Sequence, residues 1–163
     1  MPGFDPKLLV EYLRRSYHAV DGLWFVTTEE EHGFDHALDI DRRVWSVVAK
    51  IQARKARELL GADTNSPDDL ARCFTLKLTA DGHIFRAEIH RDEVRFLVTQ
   101  CPWLELLRKS GRQHLAARIS QTICPTEGNA WATEFGGEYD FRIPAMSCSG
   151  DSRCSLTFVR KTA

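Results

Sequence analysis

The segment FRAEIHRDEVRFLV, residues 85–98, decides the fold of this chain, because its apolar residues recur at every second position. A polar turn at Arg91-Asp92 separates two such runs, which are Phe85, Ala87 and Ile89 and then Val94, Phe96 and Val98. Alternation on both sides of a short turn predicts a β-hairpin. The hairpin in turn indicates an antiparallel sheet with one face directed at a core.

The end of the chain predicts a second hairpin. Residues 139–146 read as one strand, and residues around Leu156 and Phe158 read as the other. The turn between them contains Gly150, which we expect at positive φ, beside Asp151 as an acceptor of backbone hydrogen bonds. Pro144 predicts an edge strand or a bulge, because proline cannot donate a ladder hydrogen bond.

Helical spacing dominates the first half of the chain. A first helix is predicted from Leu8, Leu9, Tyr12, Leu13 and Tyr17, and Asp21-Gly22 is expected to break it. Asp41 is expected to open the longest helix, with a predicted buried stripe of Val44, Val47, Val48, Ile51 and Leu59. Further along, Pro125 is expected to begin a new turn or helix.

The order of helices, hairpin, helices and hairpin is typical of an α+β fold. We expect an antiparallel sheet of about four strands packed with helices, preceded by an N-terminal helical layer. The segment 61–65 is only a weak linker, so residues 1–163 are predicted to form a single domain. Its helical layer is expected at about 5–78, and its α+β core at about 80–161.

Composition excludes several classes of partner. The 163 residues carry a formal net charge of −1, which predicts no nucleic-acid partner. No apolar run is long enough to span a bilayer, and the first residues lack the basic and apolar regions of a signal peptide. We therefore expect a cytoplasmic protein without a membrane partner. The sequence leaves open whether the protein forms a homo-oligomer.

Four of the five cysteines lie in the second half of the chain, each at or near a predicted break between elements: Cys101, Cys124, Cys148 and Cys154. Element ends can converge on one site, so we expect the sulfurs of Cys101, Cys124 and Cys154 to lie close together. Cys73 instead lies on the apolar stripe of a predicted helix, which is typical of a buried, inert thiol. The tryptophans either line an apolar pocket or belong to the core, and these are Trp24, Trp45, Trp103 and Trp131.

The thiols leave three interpretations open. A thiolate-bound metal such as zinc is one, with Cys101, Cys124, Cys148 and Cys154 as ligands, although the chain lacks the close C-x2-C pair of structural zinc sites. A nucleophile is another, since Cys101 and Cys124 precede prolines that can start helices, where a thiol pKa is depressed. Glu127 would then act as a base or orient one. Buried structural thiols are the third interpretation.

Several short motifs resemble known families. They are Cys101-Pro102-Trp103-Leu104, Gly111, Cys124 with Glu127, and Gly150-Asp151 followed by Cys154 and Phe158. This pattern resembles the C-terminal half of the L-2-amino-thiazoline-4-carboxylic acid hydrolase-like proteins. It is also similar to the ending of 4-vinyl reductase domains, which are proposed small-molecule-binding modules. The N-terminal half contains Asp21-Gly22-Leu23-Trp24-Phe25, Asp41-Arg42-Arg43-Val44-Trp45 and Gln52-Ala53-Arg54. With these motifs it resembles a group of uncharacterised cytosolic proteins.

The resemblance implies a small-molecule ligand or substrate. As a hydrolase, the protein would open a small C–N or C–S ring, with Cys101 or Cys124 as nucleophile and Glu127 as the proton-transfer group. The alternative that the resemblance implies is a non-enzymatic ligand or metal sensor.

Overall fold

The computed structural model describes residues 3–162. Its helices are α1 (Pro6–His32), α2 (Phe34–Leu60), α3 (Pro67–Asp81), α4 (Pro102–Lys109) and α5 (Ala116–Glu134), with short 3-10 turns at Gln113–Leu115 and Ser147–Ser149. Its strands are β1 (Ile84–Ile89), β2 (Glu93–Gln100), β3 (Tyr139–Ala145) and β4 (Cys154–Arg160). They form an antiparallel sheet in the order β1-β2-β4-β3. The predicted α+β class, with an N-terminal helical region, is confirmed.

Both predicted hairpins are present in the sheet. The first joins β1 to β2, and the second joins β3 to β4 through a turn in which Gly150 has a φ of 107°. The Asp151 carboxylate accepts a hydrogen bond from the Met146 N–H at 2.7 Å, as predicted. The β3–β4 register shifts between Arg142 and Ala145, which confirms the bulge expected at Pro144.

Three predicted helix boundaries are wrong. Helix α2 begins at Phe34, directly after the break at Gly33, and Asp41 lies inside it instead of opening it. Helix α1 continues through Asp21-Gly22 to His32, with Asp5 as its N-cap and Pro6 in its first turn. A glycine inside a helix costs only about 1 kcal/mol, which the rest of this long helix offsets. Helix α5 likewise runs through Pro125 without a break. Cys124 and Glu127 therefore lie one turn apart on the same helix.

The buried side of α2 is not the stripe that its spacing predicts. Val44, Val47, Ile51 and Leu59 are exposed, and the side that faces the protein carries Trp45 and the small residues Ala49, Ala53 and Ala56. These alanines share a core with α5, because small side chains let two helices approach closely. The stripe predicted on α1 is also exposed, apart from the half-buried Tyr17, and no residue of that helix is buried.

The core lies between α3, α5 and one face of the sheet. Phe74 is at its centre, with ring centroids 5.0 Å from those of Phe96, Trp131 and Phe158. Cys73 is fully buried beside it, and burial raises the pKa of its thiol, as expected of an inert cysteine.

Candidate functional site

A cavity of about 430 Å³ lies between the helices and the sheet. All five helices and three strands contribute to its wall, which is mostly aliphatic and aromatic; Trp45, Trp103, Leu104, Ile119, Ile123 and Leu156 are among its members. Trp45 and Trp103 meet edge to face, with centroids 5.5 Å apart. The other two tryptophans lie elsewhere, since Trp131 belongs to the core and Trp24 is exposed.

The structure brings four cysteines to this cavity, namely Cys101, Cys124, Cys148 and Cys154. Cys101 is the N-cap of α4, and Cys124 lies in the middle of α5. Cys148 and Cys154 flank the turn of the second hairpin, where the Ser147 N–H donates to the Cys154 sulfur at 3.2 Å.

Burial raises the pKa of three of these thiols, Cys101, Cys124 and Cys148, and so keeps them protonated. It raises the pKa of Cys101 to about 11, although the backbone amides of Leu104 and Trp103 oppose the shift. It raises the pKa of Cys124 well above the usual value, and nearby Glu127 adds to the effect. The prediction that Pro125 places Cys124 at a helix N-terminus is wrong, because α5 continues through that proline. For Cys101 the helix N-terminus is present, but desolvation outweighs it.

The donor set does not fit a thiolate metal centre. Within residues 3–162, no three His, Cys, Asp or Glu side chains are arranged to hold a metal ion. Metals bind the thiolate form, and burial disfavours that form at Cys101, Cys124 and Cys148. The zinc set of Cys101, Cys124, Cys148 and Cys154 is therefore not supported by the geometry.

Glu127 belongs to a buried ion cluster that the sequence analysis missed. The Lys77 Nζ lies 2.8 Å from the Glu127 Oε1 and 3.2 Å from the Asp81 Oδ2. Burial opposes the charge on Lys77, but the two carboxylates outweigh burial and raise its pKa. Burial also raises the pKa of Glu127, and Lys77 opposes this shift. The i, i+4 spacing of Lys77 and Asp81 on α3 is the one signal of this cluster in the sequence.

Two further carboxyl groups line the cavity beside Trp45. They are Asp21 on α1 and Asp41 on α2, and neither forms an ion pair with another residue in the described range. Burial raises the pKa of Asp21 to about 6, against an opposing hydrogen bond from Trp45. Burial, reinforced by Asp21, raises the pKa of Asp41 to about 7. Polar residues at inward positions of two long helices were the only sequence signal for this pair.

Two histidines complete the polar part of the wall. Burial lowers the pKa of His18, and burial together with Lys77 lowers the pKa of His83 to about 3, so both rings are neutral at pH 7. The His18 Nε2 and the His83 Nδ1 are buried and have no hydrogen-bond partner among residues 3–162. Such atoms are rare in native proteins and indicate a missing partner, such as a water molecule or a ligand.

The carboxyl pair predicts a pH dependence of stability. Unfolded aspartates titrate near about 3.9, so between that pH and the folded values the native state holds protons that the unfolded state has released. The free energy of unfolding should therefore fall as the pH rises from about 4 to about 7. Asp41→Asn should raise it by about 1–2 kcal/mol at pH 8, after allowance for solvent screening, and change it little at pH 4. Urea unfolding at several pH values measures this.

A matched control is Asp39→Asn on the exposed side of the same helix, where Arg42 lowers the pKa of the carboxyl. Asp39→Asn should not raise the free energy of unfolding at pH 8. If Asp41→Asn raised the free energy of unfolding equally at pH 4 and at pH 8, the stabilisation would not come from the raised pKa of Asp41. That result would contradict the assignment of the pKa shift to burial.

The comparisons with known proteins give a family. No curated protein and no solved structure shows significant similarity to this chain. In residues 3–162 we find no helix with the length and apolar character needed to cross a membrane. A family model described as a family of unknown function, DUF6125, matches residues 7–155. Since the match spans most of its length, the chain belongs to the DUF6125 family.

Proposed function

We propose that this protein binds a small, largely apolar molecule carrying a positively charged or hydrogen-bond-donating group. The cavity carries this proposal. Its volume of about 430 Å³ lies within the range of small-molecule sites, which combine apolar walls with a few convergent polar groups. The apolar wall would supply the affinity, and the polar groups would orient the molecule.

The charges around the cavity favour a positive group over a negative one. Lys77 is paired with Glu127 and Asp81, and Arg112 is paired with Glu29. Asp21 and Asp41 are left without a cationic partner in the described residues. A positive group near them would gain Coulomb attraction in a site of low dielectric. The faces of Trp45 and Trp103 would add a cation–π contribution.

Hydrogen-bonding capacity also supports a ligand at this site. The ring nitrogens of His18 and His83 lack partners, and each neutral imidazole has one nitrogen that donates and one that accepts. A ligand with polar atoms within reach of these rings would satisfy groups that are costly to leave unpaired.

Binding is better supported than hydrolysis. A cysteine nucleophile needs a thiolate, and burial raises the pKa of both Cys101 and Cys124. Glu127 is held by Lys77 and is poorly placed as a free base. The carboxylate of 2-amino-thiazoline-4-carboxylic acid would also meet the unpaired Asp21 and Asp41. A ligand-binding module like the 4-vinyl reductase domains agrees better with these observations.

A matched set of probes tests the proposal. The set is 1-naphthylmethylamine, 1-methylnaphthalene and 1-naphthoate, which share one ring system and differ in charge. Binding is followed by quenching of tryptophan fluorescence, because Trp45 and Trp103 line the cavity. At pH 8 we expect the amine to bind at least about tenfold tighter than the carboxylate. Asp41→Asn should remove most of this preference, and Asp39→Asn should leave it unchanged.

Two results would count against the proposal. Equal affinity for the amine and the carboxylate would remove the charge preference. Turnover of 2-amino-thiazoline-4-carboxylate that disappears in Cys101→Ser would favour the hydrolase instead. Ile119→Trp serves as a blocking variant, since the larger side chain would occupy the cavity and should abolish binding of all three probes.

A further inference from the structure

Helix α1 turns its apolar stripe away from the protein. The side that faces the protein carries the half-buried Tyr17, Phe25 and Val26 among polar residues. On the outward side, Leu13, Val20 and Trp24 are 57–71% exposed. In a helix whose only partners lie within its own chain, the apolar side packs inward. The outward direction of this stripe indicates that something else covers it.

The outward stripe has the spacing of a helix-pairing seam. Its positions alternate in steps of four and three residues, as Leu9, Leu13, Ser16, Val20, Leu23 and Thr27. None of them is charged, and a heptad pattern of this kind packs against a second helix. The flanking Tyr12 and Trp24 are also uncharged, so no charge pattern selects a partner of different sequence.

Helix α2 carries a second exposed apolar stripe. Val44, Val47 and Ile51 form the stripe that its spacing predicts as buried, yet each is about half exposed. The α1 side chains alone present on the order of 700 Å² of largely apolar surface, from Leu9, Tyr12, Leu13, Val20, Leu23 and Trp24, which are 45–71% exposed. This exceeds the largest apolar patch of a typical monomer, about 300–600 Å², and is close to the roughly 800 Å² per partner of a stable interface.

We propose that a second copy of this chain covers this surface, with α1 packed antiparallel against α1 of the partner. The steps of four and three residues read the same in both directions, so a two-fold axis near Ser16 to Val20 brings Leu13 of one copy toward Leu23 of the other. Such a self-complementary contact is what a two-fold interface requires. Small Ser16 and Ala19 near the axis permit close approach of the two helices.

The proposed interface borders the cavity. Leu23 on α1 and Leu106 on α4 are both exposed and both line the cavity. A second copy packed on Leu23 would therefore cover this edge of the cavity and hold α1, which forms one wall. This proposal does not rest on the binding function, since the exposed stripes alone carry it.

Sedimentation equilibrium at micromolar concentration tests the proposal. The wild-type protein is expected at twice the monomer mass. The double variant Leu13→Glu/Val20→Glu should weaken the dimer at least about 100-fold, because it buries four carboxylates in an apolar interface. Ile84→Glu is the matched control, since Ile84 is 57% exposed, like Val20, but lies on β1. This control should remain dimeric.

Folding of the variants is checked by circular dichroism, and the single variant Leu13→Glu provides a second disruption if the double variant fails to fold. A monomeric wild-type protein would overturn the proposal, as would a dimer that neither disruption affects or that Ile84→Glu abolishes. Co-sedimentation with vesicles of phosphatidylcholine and phosphatidylserine tests whether a membrane covers the surface instead. A monomeric wild-type protein that sediments with them would assign the surface to a membrane and overturn the dimer.

Discussion

Replacing Lys77 with methionine should lower the free energy of unfolding by about 3–5 kcal/mol, the usual cost of breaking a buried ion pair. The Lys77 side chain is about 5% exposed and neutralises Glu127 and Asp81. Methionine fills similar space but leaves two carboxylates buried without a cation. Urea unfolding at pH 7 measures the loss.

The pH dependence of this variant separates lost charge from lost packing. Without Lys77, burial raises the pKa of Glu127 unopposed, so the folded state takes up a proton that the unfolded state releases. Stability of Lys77→Met should therefore recover as the pH falls toward about 5. The control is Lys55→Met, since Lys55 forms an exposed ion pair with Glu58 at 2.6 Å and should contribute less than about 1 kcal/mol. Equal losses for both variants, or no recovery in acid, would contradict the buried cluster.

The sequence predicts the strands of this fold better than it predicts the exposed sides of its helices. Alternation in residues 85–98 identifies a hairpin because the strand period of two is unambiguous. On α2 the spacing correctly finds an apolar stripe at Val44, Val47 and Ile51, but spacing does not say what covers that stripe. The alanines of α2 take the inward side instead, because they fit against α5.

In the candidate site, too, some features could be predicted from the sequence and others could not. Placement at element ends predicted that the sulfurs of Cys101, Cys124 and Cys154 lie close together. All three residues line the cavity, although Cys124 lies inside α5 and not at an element end. The pair of Lys77 with Glu127 joins α3 to α5 across 50 positions of the chain, and no local pattern encodes such a contact. The pKa of Cys101 could not be predicted either, since the helix N-terminus is visible in the sequence but burial is not.

Replacing Phe74 with alanine is expected to cost about 3–5 kcal/mol, because the ring is fully buried among Phe96, Trp131 and Phe158. The same ring lines the cavity, so its removal should also enlarge the binding site. We expect 9-anthracenylmethylamine, relative to 1-naphthylmethylamine, to gain about tenfold in affinity in the variant. Urea unfolding and fluorescence titration measure the two effects on the same preparation.

The exposed Phe4 provides the control for both readouts. It is 72% exposed, so Phe4→Ala should change stability by less than about 0.5 kcal/mol and leave the order of the two amines unchanged. A large stability loss in Phe74→Ala without any gain for the larger amine would mean that the core collapses into the vacated space. In that case the ring supports the fold alone, and the cavity wall near Phe74 does not set the size of the molecule that binds.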